Sequence, residues 1–372
     1  MPMESKERAG IARKLMDDFA QRTGLSGKGG ATKERYLWTD AFAVQTFFNL
    51  SRVCAVDVYR GLALKLIDEV HQHLGRFHPL DIRKGWISGL SEEQGQKHPT
   101  AGGLRIGKKL AERKQNEPLN ERLEWERDGQ YFHYLTRWIQ ALLQAEQETK
   151  KKNYATEAAE LLDAGRKFID KTGSRIRMYW KMSIDLSRPL INSMGAHDPL
   201  EGLICALSIL ERVPEKASRL QPIIQDLKDC CRGLNWSTTD PLGIGGLLLN
   251  INRVVAIDLK DDELPEYIRP EKLLTDCLYG LKAYGQMHNP NLSARQRLAF
   301  RECGLSLGLR VLARLKEKPK ESDLNLNKLD HFIYLADEIE EFWINPQNQN
   351  SSTWTEHLNI NAVSLAASLV AT

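Results

Sequence analysis

DPLEGLICALSILERVPEKASRLQPIIQDL, residues 198–227, holds two helices of different character joined by a short turn. Pro199 to Leu210 is apolar nearly all round, so a helix there must be surrounded by protein. Leu220, Ile223, Ile224 and Leu227 instead recur at helical spacing, and Gln221, Gln225 and Asp226 fall on the opposite face. That is the pattern of a helix with one wet side. The link between them, Arg212-Val213-Pro214-Glu215, is short and charged. An inner helix that turns straight back into an outer one is therefore predicted.

Worked outward, the same alternation runs along the chain and gives about twelve helices. Inner helices are expected to begin near Thr39, Asp128, Asp198, Asp240, Ala294 and Thr355. Outer helices are expected over about 55–74, 154–170, 217–232, 268–284 and 325–343. Glu4 to Ala20, with Ile11, Leu15, Met16 and Phe19 on one face, supplies a sixth outer helix by pairing with Glu356 to Leu369 and closing a ring. The outer-to-inner connections are long and rich in Trp, His, Gly and Asn. The longest, 75–127, is expected to form a lid or a cleft wall. Ile176, Met178, Trp180, Met182, Ile184 and Leu186 alternate with polar residues, which predicts one short strand beside it.

No Pro/Gly/Ser linker divides residues 1–372, so one large domain is expected, with 75–127 as its insertion. The 52 basic and 49 acidic residues are interspersed and leave a net charge of +3, which argues against a nucleic-acid partner. Cys54, Cys205, Cys230, Cys231, Cys277 and Cys303 fall in apolar helical stretches without Cys-x-x-Cys spacing and read as reduced core thiols. The polar start and the interrupted apolar runs predict a soluble, cytoplasmic protein without membrane association.

Trp38-Thr39-Asp40-Ala41-Phe42 resembles the Trp-Thr-x-Gly-Phe opening of the first inner helix in unsaturated glucuronyl hydrolases, with Ala41 in place of the glycine. With the helix alternation, the chain resembles the six-hairpin carbohydrate enzymes, which include those hydrolases and the N-acylglucosamine 2-epimerases. The resemblance implies an all-α fold, the (α/α)6 toroid of alternating inner and outer helices. It also implies catalytic carboxylates at the next two inner-helix starts, Asp128 and Asp198. For the epimerases it implies histidines on the fourth and sixth inner helices. His357 meets the second position, while Asp240 to Asn250 contains no histidine.

Four inner helices open at or just after an aspartate: Asp40, Asp128, Asp198 and Asp240. Each reads as a helix cap, yet a ring brings such starts onto one rim, where carboxylates can divide acid and base work. His197 precedes Asp198 in a connection that should face the cleft. His133 and Arg137, four apart, put a polar stripe on an apolar helix, to be satisfied by each other or by a ligand. Trp38, Trp86, Trp180, Trp236 and Trp354 are the expected sugar platforms. His98, Arg105 and Lys108 in the long insertion are expected to line the substrate wall. No metal site or cofactor is expected: His71-Gln72-His73 does not aim two imidazoles at one ion, and Asp258, Asp261 and Asp262 lack terpene-cyclase spacing. The leading expectation is a glycoside hydrolase acting on a small carbohydrate ligand, acidic sugars included. The alternatives are a sugar epimerase or isomerase, and a toroid that binds a glycan or protein without turnover.

Overall fold

The structure, a computed structural model, describes residues 3–27, 34–257, 264–315 and 324–371. Asp258, Asp261 and Asp262 lie outside the described residues. In chain order the helices are α1 (Ser5–Arg22), α2 (Leu37–Cys54), α3 (Asp57–Leu74), α4 (Glu92–Lys97), α5 (Glu121–Glu124), α6 (Phe132–Thr149), α7 (Asn153–Gly165) and α8 (Asp198–Arg212). They continue as α9 (Ala217–Cys231), α10 (Pro241–Ala256), α11 (Pro270–Met287), α12 (Ala299–Leu315), α13 (Ile333–Ile344), α14 (Pro346–Gln349), α15 (Ser352–Thr355) and α16 (Leu358–Leu369). The strands are β1 (Gln130–Tyr131), β2 (Ile169–Asp170), β3 (Arg177–Met178), β4 (Lys181–Met182) and β5 (Pro189–Ile191).

Inner helices foreseen from Thr39, Asp198 and Asp240 begin at Leu37, Asp198 and Pro241. Those foreseen from Asp128, Ala294 and Thr355 begin about a turn later, because β1, a 3-10 turn and α15 take up the intervening residues. Burial follows the predicted alternation. α8 and α10 are buried along most of their length, whereas α9 buries Leu220, Ile223, Ile224 and Leu227 and exposes Gln221 and Gln225. Asp226 departs from the pattern: it is buried and accepts an ion pair from Lys171 at 2.6 Å.

The contacts sort the chain into two compact units: Met1–Gly29, Gln45–Arg60 and Gly233–Thr372 in the first, Gly30–Val44 and Gly61–Arg232 in the second. In the first, α10 packs on α12, and α12 on α13 and α16. Glycine makes the α10–α12 approach possible, since a Cβ on Gly245 would stand 2.0 Å from the carbonyl oxygen of Gly304. One on Gly308 would stand 2.7 Å from that of Gly245. The buried carboxylate of Glu340 joins four helices: it accepts from Arg8 of α1 at 2.5 and 2.9 Å, Ser306 of α12 at 2.9 Å, Arg310 of α12 at 2.6 Å and Ser368 of α16 at 2.5 Å. Burial pushes its acidity toward the neutral form, and the hydrogen bonds from Arg310 and Arg8 outweigh that, so the carboxyl is held below its usual range.

In the second unit α6 packs against α7 and α8, and α8 against α9. β1, β4 and β5 form an antiparallel sheet, and β2 pairs with β3. The predicted single strand is thus two short ones in different sheets. Met178, Met182, Ile184 and Leu186 point inward as the period requires, but Lys181 is fully buried as well. Its ammonium is held by the Glu124 carboxylate at 2.9 Å and by the carbonyls of Glu124 and Arg127 at 2.7 and 2.8 Å. Residues 75–127 contain α4 and α5 and are tied down by ions. Arg83 bonds Asp81, Glu112 and Asp185, and Arg113 bonds Glu124 at 2.9 Å. No helix among the described residues is long and apolar enough to cross a membrane.

Candidate active site

Asp198 opens α8 with Pro199 behind it at the favoured first helical position. Its carboxylate is buried against Gly195, where a Cβ would stand 2.5 Å from both oxygens. Burial raises its pKa to about 7 and the nearby charge of Glu201 adds to the rise, while Arg137 and the Gly195 amide act against it. Oδ2 has no hydrogen-bond partner among the described residues. A buried carboxyl raised to about 7, with one oxygen free of hydrogen bonds, suits proton donation.

One helical turn further, Glu201 accepts from Arg137 Nη2 at 2.5 Å and from Thr136 Oγ1 at 2.9 Å. Thr136 and Arg137 lie on α6 with His133 one turn before them. Burial drives the His133 imidazole down to about 4, with Glu201 pulling the other way and Arg137 adding to the fall. It is therefore neutral at physiological pH, and its Nδ1 has no partner among the described residues. Facing helices thus bring together Asp198, Glu201, Arg137, Thr136 and His133.

An aromatic wall continues from this cluster. His133 stacks on Tyr131 with ring centres 5.4 Å apart and on Trp180 at 6.4 Å, and meets the edge of Tyr134 at 4.6 Å. Trp180 also lies against Tyr131 at 5.3 Å and against Trp125 at 4.9 Å. The register of β1 on β4, Tyr131 opposite Lys181, puts Trp180 beside Tyr131. The Tyr134 hydroxyl shares a 2.5 Å hydrogen bond with that of Tyr36, and Lys108 Nζ sits 5.5 Å above the Tyr36 ring.

The other predicted site residues lie as follows. Asp128 is fully buried. Its Oδ2 pairs with Arg105 at 2.7 Å, and its Oδ1 accepts the amides of Gly107 and Gly129, both at 3.0 Å. Arg105 spends its remaining donors on the carbonyls of Arg76 and His73. His98 pairs with Glu160 at 2.7 Å. Asp40, raised to about 7 by burial, lies 3.6 Å from Arg35 and accepts the Tyr36 amide. Asp240 caps α10 through the Gly243 amide and binds Arg301 at 2.6 Å. Trp38 is buried against Phe42, Trp86 against Gly95, Trp236 donates to the Tyr267 carbonyl, and Trp354 stacks on Trp343. His197 is half-buried just before α8, and His357 is exposed before α16, near Phe300.

Glu201 escaped the sequence reading, although a lone acid three residues after Asp198 in an apolar run is a visible signal. Tyr131, Tyr134 and Tyr36 escaped it too, since only the packing of β1 on β4 reveals their wall. Among the described residues no group of three or more His, Cys, Asp or Glu could hold a metal ion. None of the six cysteines is disulfide-bonded; five are buried and Cys54 is half-buried.

No protein-family model matches the sequence, and a search of curated proteins finds no match. Solved structures do. An inactive variant of the α-1,6-mannanase GH76A of Salegentibacter sp. HEL1_6, bound to α-1,6-mannotetrose, superposes with a TM-score of 0.57 at 11% identity over 98% of each chain. A second structure of the GH76A α-1,6-mannanase from Salegentibacter sp. HEL1_6 gives 0.54 at 11% identity, over 97% of this chain and 98% of that one. Cellobiose 2-epimerase from Spirochaeta thermophila DSM 6192 gives 0.50 at 14% identity, over 97% and 98%. The chain has the all-α (α/α)6 toroid fold of these carbohydrate enzymes. The mannanase variant is inactivated at two adjacent aspartates. In this chain adjacent aspartates occur at Asp17-Asp18, on the exposed face of α1, and at Asp261-Asp262, outside the described residues. Its buried acids at α8 are instead a helical turn apart.

Proposed function

We propose that this protein is a glycoside hydrolase acting on an oligosaccharide, with Asp198 as its general acid. The observation that carries this is the buried Asp198 carboxyl, raised to about 7 and without a hydrogen-bond partner at Oδ2 among the described residues, on the helix that faces the His133 end of the aromatic wall. Cleavage of the glycosidic C–O bond proceeds as Asp198 delivers its proton to the leaving oxygen. Water adds a hydroxyl to the anomeric carbon, and its other proton returns to the carboxylate pair. Glu201, one turn away and fixed by Arg137 and Thr136, is the second buried carboxylate beside the acid. Arg105 of the long insertion is already paired with Asp128, whereas Lys108 stands over the Tyr36 ring of the wall, so both neutral and acidic sugars belong in the substrate panel. The fold likeness to a mannanase with a bound tetrasaccharide supports a carbohydrate ligand.

The test is release of reducing ends from a panel of neutral manno- and gluco-oligosaccharides and acidic ones, beginning with α-1,6-linked mannose chains. Asp198→Asn should lower kcat by on the order of 10²–10⁴-fold, the usual contribution of a general acid. Unchanged turnover by the folded variant would overturn the assignment. Epimerisation is the second reading, favoured by the unpartnered Nδ1 of the neutral His133. It requires a sugar C–H bond to exchange for C–D in D2O while the glycosidic bond stays intact.

A further inference from the structure

The aromatic wall does not stop at the acid. From His133 it passes through Tyr131 and Trp180 to Trp125, whose ring meets Trp180 at 75° and is 51% exposed. What sets this exposed indole apart from other surface apolar groups is that its ring packs on Trp180 and so continues the stacked rings that lead to His133. Nor is it loosely tethered. Trp125 follows directly on α5, and the buried Lys181 ammonium grips the chain on both sides of it, through the carbonyls of Glu124 and Arg127. The second Glu124 oxygen is taken by Arg113, whose other nitrogens bond the carbonyls of Glu117 and Leu190. The ring is thus presented on a rigid loop, the arrangement that lets an aromatic platform bind with little ordering cost.

Resting on the hydrolase reading above, we propose that Trp125 is the outer sugar platform of this site, so that the substrate is a chain of several sugar units and not a monosaccharide glycoside. The ring nearest Asp198 lies by His133 and Tyr131, and a unit further along the chain stacks on Trp125. Substrate selection by chain length then resides in a residue that touches no reacting atom.

The experiment measures binding by calorimetry in the Asp198→Asn protein, with and without Trp125→Ala. Ligands are the α-1,6-mannose series and the α- and β-1,4-glucose series, from the methyl glycoside to the tetrasaccharide. Because Trp125 is exposed, its replacement leaves the core intact. Tetrasaccharide affinity should fall by about 10-fold, the scale of one aromatic stacking contact, while monosaccharide affinity stays the same. Equal losses for short and long ligands, or no loss for the tetrasaccharide, would overturn the platform. If no member of the panel binds with Trp125 intact, the hydrolase reading falls and the platform with it.

Discussion

Asp198 carries two separable consequences, one for catalysis and one for stability. Its carboxyl titrates near about 4 in an unfolded chain and at about 7 in the fold. A raised value penalises the folded state wherever the unfolded chain is ionised. The penalty is absent below about pH 4, grows through the interval and is complete above about pH 7, at roughly 4 kcal/mol as an upper bound. Asp198→Asn removes it. The variant should therefore melt above the parent at pH 8 and level with it near pH 4, and a Tm offset independent of pH would contradict the shift. This residue was legible because Asp-Pro after a glycine marks a helix start that a ring fold turns inward. Asp128 reads alike, as an aspartate at an inner-helix start, although Gly129 and not proline follows it. What separates them is Arg105, which reaches Asp128 from the preceding loop and consumes its charge, and no local spacing announces that pairing.

Elements were legible to the extent that their periodicity was uncontested. α8 and α9 run as the apolar and one-sided patterns of residues 198–227 require. The strand near Trp180 was foreseen in kind but not in extent, because a buried Lys181 satisfied by two carbonyls and a carboxylate occupies a position that the alternation assigns to solvent. The insertion 75–127 reads from the sequence as a lid or a cleft wall, and its glycines alone do not say how tightly it packs. Gly107, at a φ of 94°, is a point of close approach, since a Cβ there would stand 2.1 Å from the Arg35 carbonyl. Gly245 makes the same demand between α10 and α12. Gly245→Ala should destabilise by roughly 1–3 kcal/mol despite the better helix propensity of alanine. Gly61→Ala, on exposed α3 with open space around it, should stabilise by up to about 1 kcal/mol. Thermal melts of the two variants check this, and shifts of the same sign would mean that the helix contact is not glycine-dependent.

At the scale of the molecule, the alternation of buried and one-sided helices made the toroid readable, while the ionic joints that lock it stayed hidden because their members are far apart in sequence. Glu340 is the clearest case, with Arg8 332 residues away. Its folded carboxyl titrates below the ordinary range, so its contribution is present above that range and is lost as the pH falls through the folded value. Glu340→Gln leaves Arg8 without its counter-charge and Arg310 with Asp337 alone, and should cost about 3–5 kcal/mol at pH 7. The gap to the parent should close on acidification, and a loss of stability that is constant from pH 7 to pH 2 would exclude an ionic role. The same joint sets a timetable for synthesis. α1 packs on α16, so the apolar stripe of Ala12, Met16 and Phe19 leaves the ribosome long before its partner. At roughly 5–20 residues per second it waits on the order of 15–70 s, an interval in which a chaperone or a neighbouring nascent chain can reach it first.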